Sequence, residues 1–217
     1  MGGRGAGSSI PTATPGGGGG GKPMDAMPGN PDTLKEALGT KGRPMSMANA
    51  VLGANPFYDN SYGDYSENCQ RAVIATEARL RGYNVIASPT YKDDPLPWGN
   101  NFATHNFKNA QVKNIGKTTP QATQNAVEKQ MAEYGNGSRA ILAVQWKGRN
   151  AGGHVLNVVQ RNGKTYYVDG QVGKQYTGKE LFSAIKKGNS NTKLVRVDNL
   201  EFSDGARESV RQNPNRK

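Results

Sequence analysis

Cysteine is almost absent: the 217-residue chain has one, Cys69, alongside two histidines. An intrachain disulfide is thereby excluded, and so sparse a set of soft ligands is a poor basis for a zinc centre. No metal or cofactor is expected. Long apolar runs are missing too. None approaches the roughly 18 residues a membrane helix needs, so no membrane partner is expected. The N-terminus also lacks the apolar stretch that follows the basic residue of a signal peptide. The expectation is a soluble protein with no signal peptide.

Acidic residues are under-represented. There are 17 Asp and Glu against 28 Lys and Arg, giving a net charge of +11. The excess is dispersed, and no five basic residues are consecutive. Dispersed charge accounts for solubility and a general attraction to anions. No helix-turn-helix, zinc-ligand set or aromatic RNA-binding signature accompanies it, so nucleic acid stays an alternative partner that no motif favours.

Apolar residues make up 34% and the mean hydropathy is −0.75. That is low for a chain packed along its whole length, and composition says where the deficit lies. Residues 1–53 hold 14 of the 29 glycines, and residues 16–21 are all glycine. Such a stretch buries too little apolar surface to offset its ordering entropy. Residues 1–50 are therefore expected to form a flexible arm or linker, with a short helix near Pro31–Leu38. The folded domain should span 55–204, with a polar, frayed tail over 205–217.

Within that domain, Tyr65–Tyr83 (YSENCQRAVIATEARLRGY) predicts a helix. Ser66 is the expected N-cap, and Cys69, Val73, Thr76 and Leu80 share one face. Gly82 suits the position after its end. Asn84–Ala87 predicts a strand, and 88–118 a long irregular insert. A helix from Thr119–Pro120 to Tyr134 follows, stopped by Gly135. Arg139–Trp146 predicts a buried strand. Asn162–Gly163 lies between two β-rich runs and predicts a hairpin. Thr177–Glu180 resembles a capping box opening a helix that ends near Gly188, and Lys193–Val197 predicts the last strand. The fold class is α+β, a leading helix followed by an antiparallel sheet with flanking helices.

The hairpin supplies a geometry. A two-residue Asn162–Gly163 turn pairs Arg161 with Lys164, and every later pair keeps the same sum. Leu156 then faces Asp169, and His154 faces Gln171. His154 and Asp169 become diagonal neighbours on one sheet face, within side-chain reach. A carboxylate that orients a histidine makes a general base. A lone cysteine is either a small buried hydrophobe or a nucleophile. Cys69 lies near a helix start, where the helix dipole and a neighbouring imidazolium favour a thiolate in general. A cysteine on a leading helix, with histidine and aspartate on later strands, is the papain-type chain order. The candidate catalytic residues are Cys69, His154 and Asp169. His105, in a loop of polar residues, is expected to be solvated.

The segments Asn68-Cys69-Gln70-Arg71, Gly153-His154-Val155 and Asp169-Gly170-Gln171-Val172-Gly173 resemble those of the papain-fold toxin domains. These occur in bacterial polymorphic toxins and in phage minor capsid and head-morphogenesis proteins. The resemblance covers about 55–200. It implies a cysteine amidohydrolase, foremost a toxin- or effector-type glutamine deamidase acting on a host or target-cell protein. It also implies delivery by a larger virion or delivery protein, with an immunity protein as a further partner. Alternatives on the same fold are a cysteine peptidase, a transglutaminase-like enzyme, or a basic virion protein without activity. Papain-type proteases carry an oxyanion glutamine six residues before the nucleophile, and here that residue is Gly63. Asn68 and Gln171 are left as candidate donors.

Overall fold

The computed structural model describes residues 31–58, 63–90, 100–148, 151–187 and 191–214. In chain order its elements begin with the helices α1 (Leu34–Leu38), α2 (Met47–Leu52), α3 (Gly63–Ser66) and α4 (Cys69–Leu80). Strand β1 (Val85–Ala87), helix α5 (Asn100–Asn106), strand β2 (Lys113–Asn114) and helix α6 (Pro120–Tyr134) follow. Next come β3 (Arg139–Gln145), β4 (Gly153–Arg161), β5 (Lys164–Asp169) and β6 (Lys174–Tyr176). The chain continues through α7 (Gly178–Ala184), β7 (Lys193–Arg196), a 3-10 turn (Asp204–Glu208) and β8 (Val210–Gln212).

Six strands form one antiparallel sheet in the order β2-β7-β3-β4-β5-β6, and β1 pairs with β8 in a separate ribbon. Alternation along β3 and β4 gives the sheet two apolar faces. Leu142 and Leu156 pack with Val127 and Met131 of α6 and Leu181 and Phe182 of α7. Ile141 and Val155 pack on the opposite side, in the cluster that holds Ala72, Val73 and Ile74 of α4. Helices therefore cover both faces, and α4 lies against the strands that carry the candidate site. Asn157 of β4 fastens this contact, donating from Nδ2 to the Val73 carbonyl at 3.1 Å. No helix among the described residues is long and apolar enough to cross a membrane.

A buried carboxylate fixes α4 at its other end. Glu77 is 0% exposed and accepts from Arg139 Nε at 2.8 Å, Arg139 Nη2 at 2.9 Å and Arg81 Nε at 2.7 Å. The Arg81 guanidinium lies over the Phe202 ring, 4.4 Å from its centroid. Breaking a buried ion pair by removing one partner costs about 3–5 kcal/mol, because the other charge is left uncompensated.

Most expected elements appear at their positions, with five corrections. Ser66 does not cap α4: the helix starts at Cys69 behind Asn68. The predicted insert holds α5 and β2. The helix after Thr177 keeps its capping box but ends at Ala184, because Ile185 turns to bridge Trp146. Its expected end at Gly188 lies outside the described residues.

Two segments expected to be unpacked are packed. Residues 1–30 of the expected arm lie outside the described residues, but α1 and α2 bury Ala37, Leu38, Ala50 and Val51. Their small side chains allow close approach: a Cβ on Gly53 would sit 2.1 Å from Arg79 Nη2. The expected tail forms β8, with Ser209 and Val210 both 0% exposed.

Candidate active site

Cys69 is the first residue of α4, a free thiol 9% exposed. Its position depends on Asn68, which is 1% exposed. The Asn68 side chain does not cap the helix. Instead Nδ2 donates to the Ser88 carbonyl at 2.9 Å and to Asn55 Oδ1 at 3.3 Å, while Oδ1 accepts from Thr90 Oγ1 at 2.9 Å. Both amide protons are thereby committed, so Asn68 is not an oxyanion donor in this arrangement. The first-turn N–H groups of α4 are left without a cap from it.

His154 is the second residue of β4 and Asp169 the last of β5. The hairpin keeps the expected register from Arg161↔Lys164 to Asn157↔Val168. Asn162 and Gly163 have φ of 52° and 72°, the left-handed pair a two-residue turn requires. The ladder then ends, and Asp169 pairs with Lys174 of β6. The expected pairing of His154 with Gln171 therefore does not form. The turn after Asp169 runs against α4 and needs glycine: a Cβ on Gly170 would lie 2.1 Å from Thr76 Oγ1. The backbones part, but the side chains meet, with His154 Nε2 2.7 Å from Asp169 Oδ2.

Gln171 supports Asp169 from behind. Its N–H donates to Asp169 Oδ1 at 3.0 Å, and its side-chain amide donates to the Ser66 carbonyl. Asn55 Nδ2 bridges the carbonyls of Gln171 at 3.0 Å and Tyr65 at 2.9 Å, tying this turn to the approach to α4. The Tyr176 hydroxyl also hydrogen-bonds Asp169. Burial first, then the Asp169 charge, pushes the Tyr176 hydroxyl well above the ordinary phenol value. The same two causes raise that of Tyr58.

The His154–Asp169 pair is enclosed, with side chains 10% and 3% exposed. Burial alone would lower the basicity of His154. The charge and hydrogen bond of Asp169, with smaller contributions from a hydrogen bond and charge of Cys69, overcome it and push the ring up to about 10. Asp169 thus favours the protonated form of the ring. Asp169 takes Nε2, and Nδ1 is the other ring nitrogen. Trp146 stacks on the ring at 5.3 Å between centroids and 26° between planes. The three expected residues are thus brought together. Trp146, Tyr176 and Asn55 are additions that sequence reasoning missed. Tyr176 carries no sequence signal because its placement depends on β6, and Trp146 closes an apolar run that reads equally well as core.

His105 is only partly solvated, and it is paired rather than free. It lies in α5, its side chain 26% exposed, with Nε2 2.8 Å from Glu208 Oε2. Among the described residues, no group of three or more His, Cys, Asp or Glu side chains is arranged to hold a metal ion.

A helix with cysteine at its first position, ahead of antiparallel strands that join a histidine to an aspartate, is the papain-like arrangement. Residues 67–174, a span that includes all three side chains, match the family described as papain fold toxin 1, glutamine deamidase, and the chain carries a papain-fold toxin domain of that family. No curated protein and no solved structure matches the chain.

Proposed function

We propose that this domain hydrolyses the side-chain carboxamide of a glutamine in a target protein, with Cys69 as nucleophile, His154 as acid and base, and Asp169 as the residue that holds His154. The observation that carries the reading is the 2.7 Å His154–Asp169 bond, with Cys69 on the same ring at a helix start. Cys69 passes its thiol proton to His154, Sγ attacks the carboxamide carbon, and the carbonyl oxygen takes up the displaced electron pair. N–H groups of the first turn of α4 are suited to stabilise that oxyanion. As the C–N bond breaks, His154 gives its proton to the departing nitrogen and ammonia leaves. Water then attacks the thioester, giving a proton to His154. The C–S bond breaks, and glutamate and the free Cys69 thiol remain. The family's toxin character supports delivery to a target cell and a protein as substrate.

Intact-mass measurement of candidate target proteins tests the reading. A gain of about one dalton per site, lost with Cys69→Ala, is the expected result. Fragments would indicate a peptidase instead. Coupling of added amines to the glutamine, with ammonia released but no one-dalton product, would indicate a transglutaminase. Unmodified targets, together with a Cys69 that alkylates no faster than a free thiol, would sink the enzymatic reading.

A further inference from the structure

A cavity of about 110 Å³ opens beside the proposed site. His154 forms part of its wall, as does Gln70, the residue after Cys69. The rest is chiefly apolar and comes from five regions of the fold: Phe102 of α5, Val112 ahead of β2, Ile141 and Ala143 of β3, Val155 of β4 and Val195 of β7. Close packing is the rule inside proteins, and a space with no atoms on one side forfeits dispersion contacts for its whole lining. A gap of this size beside His154 is suited to being filled by a substrate.

We propose that this cavity is a specificity pocket for an aliphatic side chain next to the glutamine that is attacked. The inference rests on the proposed deamidase reading and deepens it by naming the substrate class. The chemistry of the walls selects the occupant. The carboxamide of the glutamine itself does not belong there, because an amide among these side chains would lose its hydrogen bonds to water with few partners to replace them. A cavity of about 150 Å³ takes a benzene ring, so this one suits a leucine, isoleucine, valine or methionine side chain. Lys193 also lines it. The lysine stem extends the apolar wall and its ammonium disfavours a cationic occupant. A target glutamine flanked by leucine is therefore preferred to one flanked by serine or lysine.

The test uses the full chain and short glutamine-analogue peptides bearing a chloroacetamide. The residue beside the warhead is serine, leucine, phenylalanine or lysine. Alkylation of Cys69 should be about tenfold or more faster with leucine than with serine, and slowest with lysine. Ala143→Leu fills the cavity and should erase the leucine advantage, read as the ratio of the leucine rate to the serine rate. Val112→Ala enlarges the cavity at a half-buried position, and should shift the preference toward phenylalanine. Equal rates with all four peptides, or a leucine advantage unaltered by either variant, overturns the proposal. Ammonia release from the matching glutamine peptides separates the two readings. Leucine-selective alkylation with no ammonia from any peptide defeats the deamidase reading and leaves the pocket intact. Ammonia release indifferent to the neighbour defeats the pocket alone.

Discussion

Two histidine–carboxylate pairs lie in this molecule, and they differ little in contact distance. His154 Nε2 is 2.7 Å from Asp169, and His105 Nε2 is 2.8 Å from Glu208. Their surroundings differ. The His105 pair is about a quarter exposed on each side, and Arg207 Nη2 lies 3.8 Å from the same carboxylate. The His154 pair is enclosed, stacked by Trp146, braced by Tyr176 and Gln171, and in contact with Cys69. A carboxylate beside a histidine is thus insufficient to define a site. Enclosure, a cysteine thiol and an adjoining cavity distinguish the His154 pair.

Breaking the comparison at its nucleophile gives the largest expected effect. Cys69→Ala should lower ammonia release by about 10³-fold or more, whereas His105→Gln should change it by less than about twofold. Next is the carboxylate. Asp169→Asn leaves the shape but removes the charge that orients His154, and should lower kcat/KM by about 10²-fold or more. Glu208→Gln should leave it within about twofold, and a loss equal to that of Asp169→Asn would erase the distinction.

Stability against pH sharpens the same contrast. The folded state raises the basicity of His154 from its ordinary value near 6.5 to about 10. The stabilisation from this group is therefore complete below about pH 6.5 and is lost as pH rises toward 10. Melting temperature should fall across that window, and the fall should be shallower in Asp169→Asn. A profile identical in both proteins would contradict the electrostatic account. The smallest effect is on the other pair: His105→Gln should cost about 1 kcal/mol in denaturant unfolding, the ordinary net worth of one hydrogen bond.

The two pairs also separate what the sequence makes legible from what it does not. His154 and Asp169 are joined by a hairpin whose turn is written as Asn162–Gly163, so local periodicity suffices to bring them close. The same arithmetic fails one step further on, at Gln171. There, Gly170 lets the chain turn against Thr76, a contact that no local pattern encodes. The His105–Glu208 pair spans 103 positions of sequence, and its helix lies in a stretch whose Pro, Asn and Gly content predicts irregular chain. The packing of α1, and α2 altogether, are missed for a related reason. Alanine and glycine look like poor core material until a large neighbour such as Arg79 fills the space they leave.

The β1–β8 ribbon has a temporal consequence. Ser88, whose carbonyl holds Asn68 beside Cys69, donates its own N–H to the Ser209 carbonyl at 2.9 Å, and Arg211 Nε reaches its hydroxyl at 3.3 Å. The seat of the proposed nucleophile is thus latched by residues well over a hundred positions downstream. A chain emerging N-terminus first, from a ribosome or a narrow passage, carries Cys69 out early but lacks this latch until 209–211 follow. Arming of the thiol is in this way tied to arrival of nearly the whole domain.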